Sequence, residues 1–449
     1  MGGSVSVENA VIISIAQDGS IGLTEGFAKT YADVMPAPFN LRQPVVTRDD
    51  EVLIKANWAA ICRGTSAYDR VKYLTPDKFF YITFYQALFV NDMSLRAMFR
   101  SSMTVQGKSL AGVMGTLASI IVGDNFVETV QAIARTHLKY GVARDHYTLF
   151  GNVLIAALET VSGDAWTPEV GAAYLRAYSL IYYVMMPILS TGTPTPMKES
   201  LKAMIIRSDA ISTTAKYIRL EFDFLLRYHP GDSVWLGLPL PHGEERRHFT
   251  IASVSLEGSR SVDICVQDIG VATHWLCNQE VGTFVNLYWV ETEVRLEIDT
   301  PEMLPKHVVL AGFGIGVIPM LIMYKGLCHI RDTFPRESVA VLQCAPSPDV
   351  VAPFHDAIAK QAVGWDASNV HFAPSMAPET LQAVAPHVQD AHVFVCGPDE
   401  FVTATKAAYA AVGGKNSVTE LSFDNNRPFP LGSASLSAIL LAMLTTKNE

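Results

Sequence analysis

The 449-residue chain is 49% hydrophobic, 10% aromatic and only 17% charged, with a mean hydropathy of +0.22. Ordinary soluble domains are about 25% charged, so this composition excludes a disordered chain and calls for sizeable buried cores in two or three domains. A formal net charge of −10 leaves no basic stripe to displace phosphate counterions, which argues against nucleic acid as a partner.

Cysteines stand at 62, 265, 277, 328, 344 and 396 with no CxxC pair. That spacing indicates neither a disulfide framework nor a thiolate zinc site and fits a reducing interior. No run of about 20 uncharged apolar residues occurs, since Ser179–Leu189 and Leu431–Leu444 are both too short, so no stable membrane insertion is expected. Met1-Gly2-Gly3-Ser4-Val5-Ser6 fits an N-myristoylation pattern, but Lys29 is the first basic residue. One acyl chain without a basic patch holds a membrane only marginally. The expectation is a soluble cytoplasmic protein, monomeric or homodimeric.

Residues 1–45 mix an alternating run (Val5–Ile15) with turn residues and form an N-terminal extension with no assigned role. From 46 to 190 the texture is helical. The stretches Phe79–Phe99, Gly107–Ile121, Phe126–Tyr140 and Tyr147–Thr160 carry apolar residues at three- and four-residue spacing. Stop and start signals at Gly123-Asp124, Gly163-Asp164 and Thr167-Pro168 separate them. Ser190–Pro196 is rich in residues that break or stiffen a chain, which places a linker at 191–200. The runs Tyr217–Phe222, Ser233–Leu236, Phe249–Val254, Val262–Val266 and Phe284–Trp289 then predict a small antiparallel β-barrel over 201–303. From 304 to 425, strands at His307–Ala311, Ser338–Gln343 and His392–Val395 alternate with helices, which means a parallel α/β sheet. A tail, 426–449, follows.

His137 alone is one of 12 histidines. Read with Phe84-Tyr85-Gln86-Ala87-Leu88-Phe89, with Phe99 fourteen residues after that tyrosine, with Gln106 and Leu110, and with Tyr147 ten residues beyond the histidine, it resembles the globin domain of flavohaemoglobins. The resemblance implies a fold of an all-α globin domain, an FAD-binding barrel and an NAD-binding α/β domain. His137 would be the proximal ligand of haem b. Phe99 would pack on the porphyrin, and the Tyr85 hydroxyl would stabilise negative charge on bound dioxygen. Gln106 and Leu110 would complete the distal wall, and Tyr147 would orient the His137 ring. One departure stands out. The family usually supplies a glutamate from the last globin helix to the histidine–tyrosine network, whereas Ile181–Leu189 has no carboxylate. A weaker electron push from the proximal side, disfavouring peroxidase-like chemistry, is expected.

In the second half, Arg246-Arg247-His248-Phe249-Thr250, at the start of a predicted strand, resembles the R-x-Y-S flavin motif of the ferredoxin reductase family. That implies Arg247 on the FAD pyrophosphate, Phe249 against the ring system and Thr250 donating to the flavin. Upstream, Tyr228-His229-Pro230-Gly231 looks like the preceding turn, with Ser233 where the family often has an aromatic. Gly270-Val271-Ala272-Thr273 resembles the second phosphate-binding turn, carrying Gly270 and Thr273. Gly314-Ile315-Gly316-Val317-Ile318-Pro319 follows a strand and opens a helix, as a nicotinamide dinucleotide site requires, and Gly314, Gly316 and Pro319 would line it. Ile318 replaces the usual Thr or Ser. Cys396-Gly397-Pro398 resembles the signature beside the nicotinamide, and Glu420 and Phe423 resemble the terminal residues near the flavin. No Lys or Arg occurs from Glu337 to Ile358, which favours NADH, with NADPH as the alternative.

The implied activity is nitric oxide dioxygenation, with O2 and NO as gas partners and electrons from NAD(P)H through FAD. Two alternatives remain at this point: a haem–flavin reductase acting on hydroperoxides or other small oxidants, and an O2- or NO-sensing globin with a degenerate reductase.

Overall fold

The structure is a computed structural model that describes residues 12–70, 73, 75–117, 125–291 and 294–422. It divides into two compact units. The first takes the described residues up to Met98 and Gln106–Lys198, and the second takes Phe99–Val105 and the described residues from Glu199 onward.

The first unit opens on a three-stranded antiparallel sheet, β1 (Ile13–Ile15), β2 (Ile21–Leu23) and β3 (Val45–Val46). Residues 12–45 of the N-terminal extension are therefore folded, and Phe39 is fully buried. The main helices of the unit are Arg48–Arg63, Pro76–Asn91, Met103–Leu117, Phe126–Lys139, Arg144–Ser162 and Pro168–Thr191. Their ends follow local chemistry. Thr47 and Asp50 form a capping box at the first, and proline opens those at Pro76 and Pro168. Buried Asp50 also accepts from Arg176, which ties the first of these helices to the last.

The last helix runs 24 residues, well beyond Ser179–Leu189. By length and composition alone it could cross a membrane, and 67% of its most apolar window is buried inside the structure. The tail 426–449, with Leu431–Leu444, lies outside the described residues.

The second unit holds a six-stranded antiparallel sheet in the order β7-β6-β9-β4-β5-β8. Its strands are β4 (Leu201–Ala210), β5 (Ala215–Leu226), β6 (Ser233–Leu240), β7 (Gly243–Thr250), β8 (Ser259–Gln267) and β9 (Phe284–Glu291). A bridge between Ile251 and Ile264 joins the two edge strands and closes the barrel. Arg246–Thr250 sits at the end of β7, not at a strand start, because the hairpin from β6 begins at Gly243.

A five-stranded parallel sheet follows: β10 (His307–Phe313), β11 (Ser338–Cys344), β12 (Val370–Ala373), β13 (His392–Gly397) and β14 (Val418–Ser422), in the order β12-β11-β10-β13-β14. Alternate residues feed two cores, with Leu310 and Val341 on one face and Val309 and Leu342 on the other. The fold is thus multidomain, helical first, then barrel, then α/β.

Candidate functional site

His137 stands third from the end of the Phe126–Lys139 helix, whose Val127, Val130, Ala134 and Leu138 are buried at helical spacing. The ring lies half-buried at the edge of that stripe. Gly141, at φ +86°, turns the chain at once, so the next helix brings Tyr147 back alongside. The Tyr147 hydroxyl lies 2.8 Å from His137 Nδ1. Burial lowers the His137 pKa and favours the neutral imidazole. Burial first, then the neighbouring Tyr182, pushes the Tyr147 phenol well up.

With Nδ1 engaged, Nε2 is left without a hydrogen-bond partner among the described residues. His137 lines a cleft of about 600 Å³ with Asn125, Glu128, Thr129, Ala132, Ile133 and Thr136. One ring nitrogen oriented and the other open is the arrangement an iron-ligating histidine needs. In place of a carboxylate, Tyr147 has two tyrosines for neighbours. Tyr178 donates to its backbone carbonyl at 2.7 Å, and Tyr182 stacks on its ring at 5.7 Å.

Tyr85, on the Pro76–Asn91 helix, is 6% exposed, and burial pushes its phenol well up, so the hydroxyl stays a donor. That hydroxyl donates to the Gln106 carbonyl at 3.0 Å, and buried Leu110 follows four residues later on the same helix. The segment Phe99–Val105 groups with the second unit, where Arg100 donates to the Tyr288 carbonyl at 2.8 Å and the Ser102 amide to the Arg227 carbonyl at 2.9 Å.

Sequence reasoning missed Arg96. It is 6% exposed and its guanidinium lies 5.5 Å over the Phe89 ring, which in turn stacks 5.8 Å from Tyr85. A lone arginine inside the apolar turn Met93–Met98 was the available signal.

In the barrel, Arg247 is exposed and already engaged, pairing with Glu245 and donating to the Arg246 carbonyl at 2.8 Å. Phe249, two residues on and on the same face, belongs to the buried barrel core, and Thr250 is half-buried. Gly270 caps the Val271–Cys277 helix, and the Thr273 hydroxyl is occupied there, accepting from the Ile269 and Gly270 amides.

The α/β sheet brings two glycine turns together. Its order reverses between β10 and β13, the switch point at which open α/β sheets bind ligands. Parallel register sets Gly312 against Cys396, so Gly314 and Gly316 after β10 neighbour Cys396, Gly397 and Pro398 at the end of β13. Gly314 takes φ +55° and has open space around it, whereas Pro319 and Ile318 are buried in the following helix. Gln343, buried at the end of β11, leaves its carbonyl oxygen without a partner. Glu420 lies on β14 beside Val395, exposed and paired with Lys406 at 2.9 Å. Phe423 lies outside the described residues.

Residues 82–185 match the Globin family, so the helical unit is a globin domain. Beyond that domain, the chain is similar to curated flavohemoproteins. It is 26% identical over 317 residues to the flavohemoprotein of Rhodopirellula baltica, covering 64% of this chain and 74% of that one. With the Bacillus subtilis flavohemoprotein it shares 21% over 358 residues, 74% of this chain and 88% of the relative. Among solved structures it is similar to the flavohemoglobin of Malassezia yamatoensis with bound FAD and heme, at 17% identity and TM-score 0.42, covering 84% and 99% of the two chains.

Proposed function

We propose that this chain is a haem–flavin oxidoreductase acting as an NAD(P)H-dependent nitric oxide dioxygenase that converts NO and O2 to nitrate. The observation that carries the reading is the His137–Tyr147 pair, 2.8 Å apart, with Nε2 open beside a cleft. Kinship with flavohemoproteins supports the cofactors haem b and FAD. When bound, haem supplies the iron centre at which the two gases combine, and FAD relays electrons from the nicotinamide to it.

The chain's own residues then have distinct tasks. Tyr147 accepts a hydrogen bond from Nδ1–H and so fixes the imidazole tautomer that presents Nε2. Tyr85, kept protonated by burial, supplies a hydrogen-bond donor on the distal side after exchanging the Gln106 carbonyl for the substrate. Gln106 and Leu110 form the distal wall. Arg247 would release Glu245 to grip the flavin pyrophosphate, with Thr250, Gly270 and Thr273 nearby in the barrel. Gly314, Gly316 and Cys396–Pro398 form the crevice for the dinucleotide, with NADH favoured over NADPH.

An absorption spectrum of the purified protein, taken before and after anaerobic NADH, tests the reading. A Soret band that moves to the ferrous position is expected, together with NO consumption that exceeds peroxide turnover at equal haem. A preparation that takes up haem and FAD yet turns over peroxide and ignores NO would overturn it.

A further inference from the structure

The segment ahead of the globin domain reaches the proximal side. Phe39 is 0% exposed, with its ring 4.9 Å from Tyr178 and 6.1 Å from Tyr182. Tyr178 donates its hydroxyl to the Tyr147 carbonyl at 2.7 Å. Tyr182 stacks on the Tyr147 ring and fastens itself to the same helix, donating to the Arg144 carbonyl at 2.9 Å with Thr148 Oγ1 3.1 Å away. Gly151, one turn beyond Tyr147, makes room for this packing. A Cβ there would come within 2.4 Å of Tyr178 and 2.6 Å of Phe39.

We propose that Phe39 is a positioning residue for the proximal histidine. It wedges Tyr178 and Tyr182 in place, and those two rings hold the Tyr147 hydroxyl against His137 Nδ1. The physical need is clear. The last globin helix has one acid, Glu169 in its first turn, so among the described residues no carboxylate of that helix anchors the Tyr147 hydroxyl. A phenol held only at its own Cα can swing about χ1 and χ2, and a hydrogen bond of this kind weakens steeply with misalignment. Packed aromatic walls supply the restraint that an ionic partner would otherwise provide. The segment is thus part of the haem site's support.

This inference rests on the proposed haem function, and the test separates the two. Phe39→Ala and Phe39→Leu are made in the full chain. In the haem-loaded proteins, the ferrous iron–histidine stretch is read by resonance Raman, and haem loss is timed against an apoglobin scavenger. Phe39→Ala should shift and broaden the stretch and speed haem loss about tenfold, an effect the size of one misplaced hydrogen bond, and Phe39→Leu should restore most of both. In the haem-free chain, the 15N shift of His137 Nδ1 should move in the same order. Should Phe39→Ala fail to fold, Tyr178→Phe keeps the ring, removes only the hydroxyl and is read identically. A folded Phe39→Ala or Tyr178→Phe protein with parental stretch, haem loss and Nδ1 shift overturns the inference and leaves the haem site standing. A parent chain that takes no haem overturns the proposed function instead, while the Nδ1 shift still decides whether Phe39 orders the pair.

Discussion

Asp299 Oδ1 lies 3.0 Å from Nε2 of His229, a ring 3% exposed in the turn between β5 and β6, and this contact ties the barrel to the segment leading into the α/β lobe. On its other side, Nδ1 stands 3.8 Å from Asp232, which is fully buried and also accepts from the His229 amide. Burial alone would lower the imidazole pKa, but the two carboxylates outweigh it and raise it from 6.5 to about 8. A raised folded-state pKa means that the folded protein holds the proton more tightly. The stabilisation, about 2 kcal/mol, is therefore complete below about pH 6.5 and fades as pH rises through 8. Melting curves across that window should show the loss in the parent and not in His229→Gln. A parental curve flat through pH 8 would sink this assignment.

His137→Ala should purify without a Soret band while retaining flavin absorbance, because the two cofactor sites draw on different units of the chain. The separation is checked by pigment content per chain, and equal loss of both colours would contradict it.

Tyr85→Phe removes a buried hydroxyl and its hydrogen bond to the Gln106 carbonyl. A hydrogen bond to a partly charged ligand contributes about 1.5–3 kcal/mol, so dioxygen should leave the ferrous protein about tenfold to a hundredfold faster. Stopped-flow displacement of O2 by CO measures this directly.

Glu245 competes for the fork of Arg247. Glu245→Gln should therefore strengthen FAD retention, modestly because the pair is exposed, by up to about fivefold. Equilibrium dialysis against free FAD reads the difference, and weaker retention would mean that Arg247 does not meet the flavin phosphates.

At Gly312 a Cβ would sit 2.5 Å from the Gly316 carbonyl and 2.6 Å from Val317 Cα. These are backbone atoms that cannot rotate away, so Gly312→Ala should cost about 1–3 kcal/mol and abolish reduction of the flavin by NADH. Dithionite, which bypasses the nucleotide, should still reduce it.

The His137–Tyr147 pair was legible because the two residues are ten apart, and a helix end, a glycine turn and one further helical turn carry the second side chain back to the first. The glycine turns after β10 and β13 were legible for a similar reason, since strand–turn–helix order alone puts them at strand ends. The grouping of Phe99–Val105 with the second unit was not legible, because the spacing of Phe99 from Tyr85 says nothing about which core claims that segment. The pairing of Glu420 with Lys406 was equally hidden, since it depends on how the last strand packs beside the preceding helix.

Local chemistry along the chain was enough to establish the three textures and the order of the lobes, and to single out His137 as the candidate ligand, because helix caps, periodicity and short loops act over a few residues. Contacts between residues far apart in the chain were settled by folding alone. Phe39 reaches Tyr178, 139 positions further along the chain, and His229 reaches Asp299, 70 further along. Nothing in either residue's neighbourhood names its partner, because such pairs form only when cores close and each buried ring or charge must find what the packing leaves beside it.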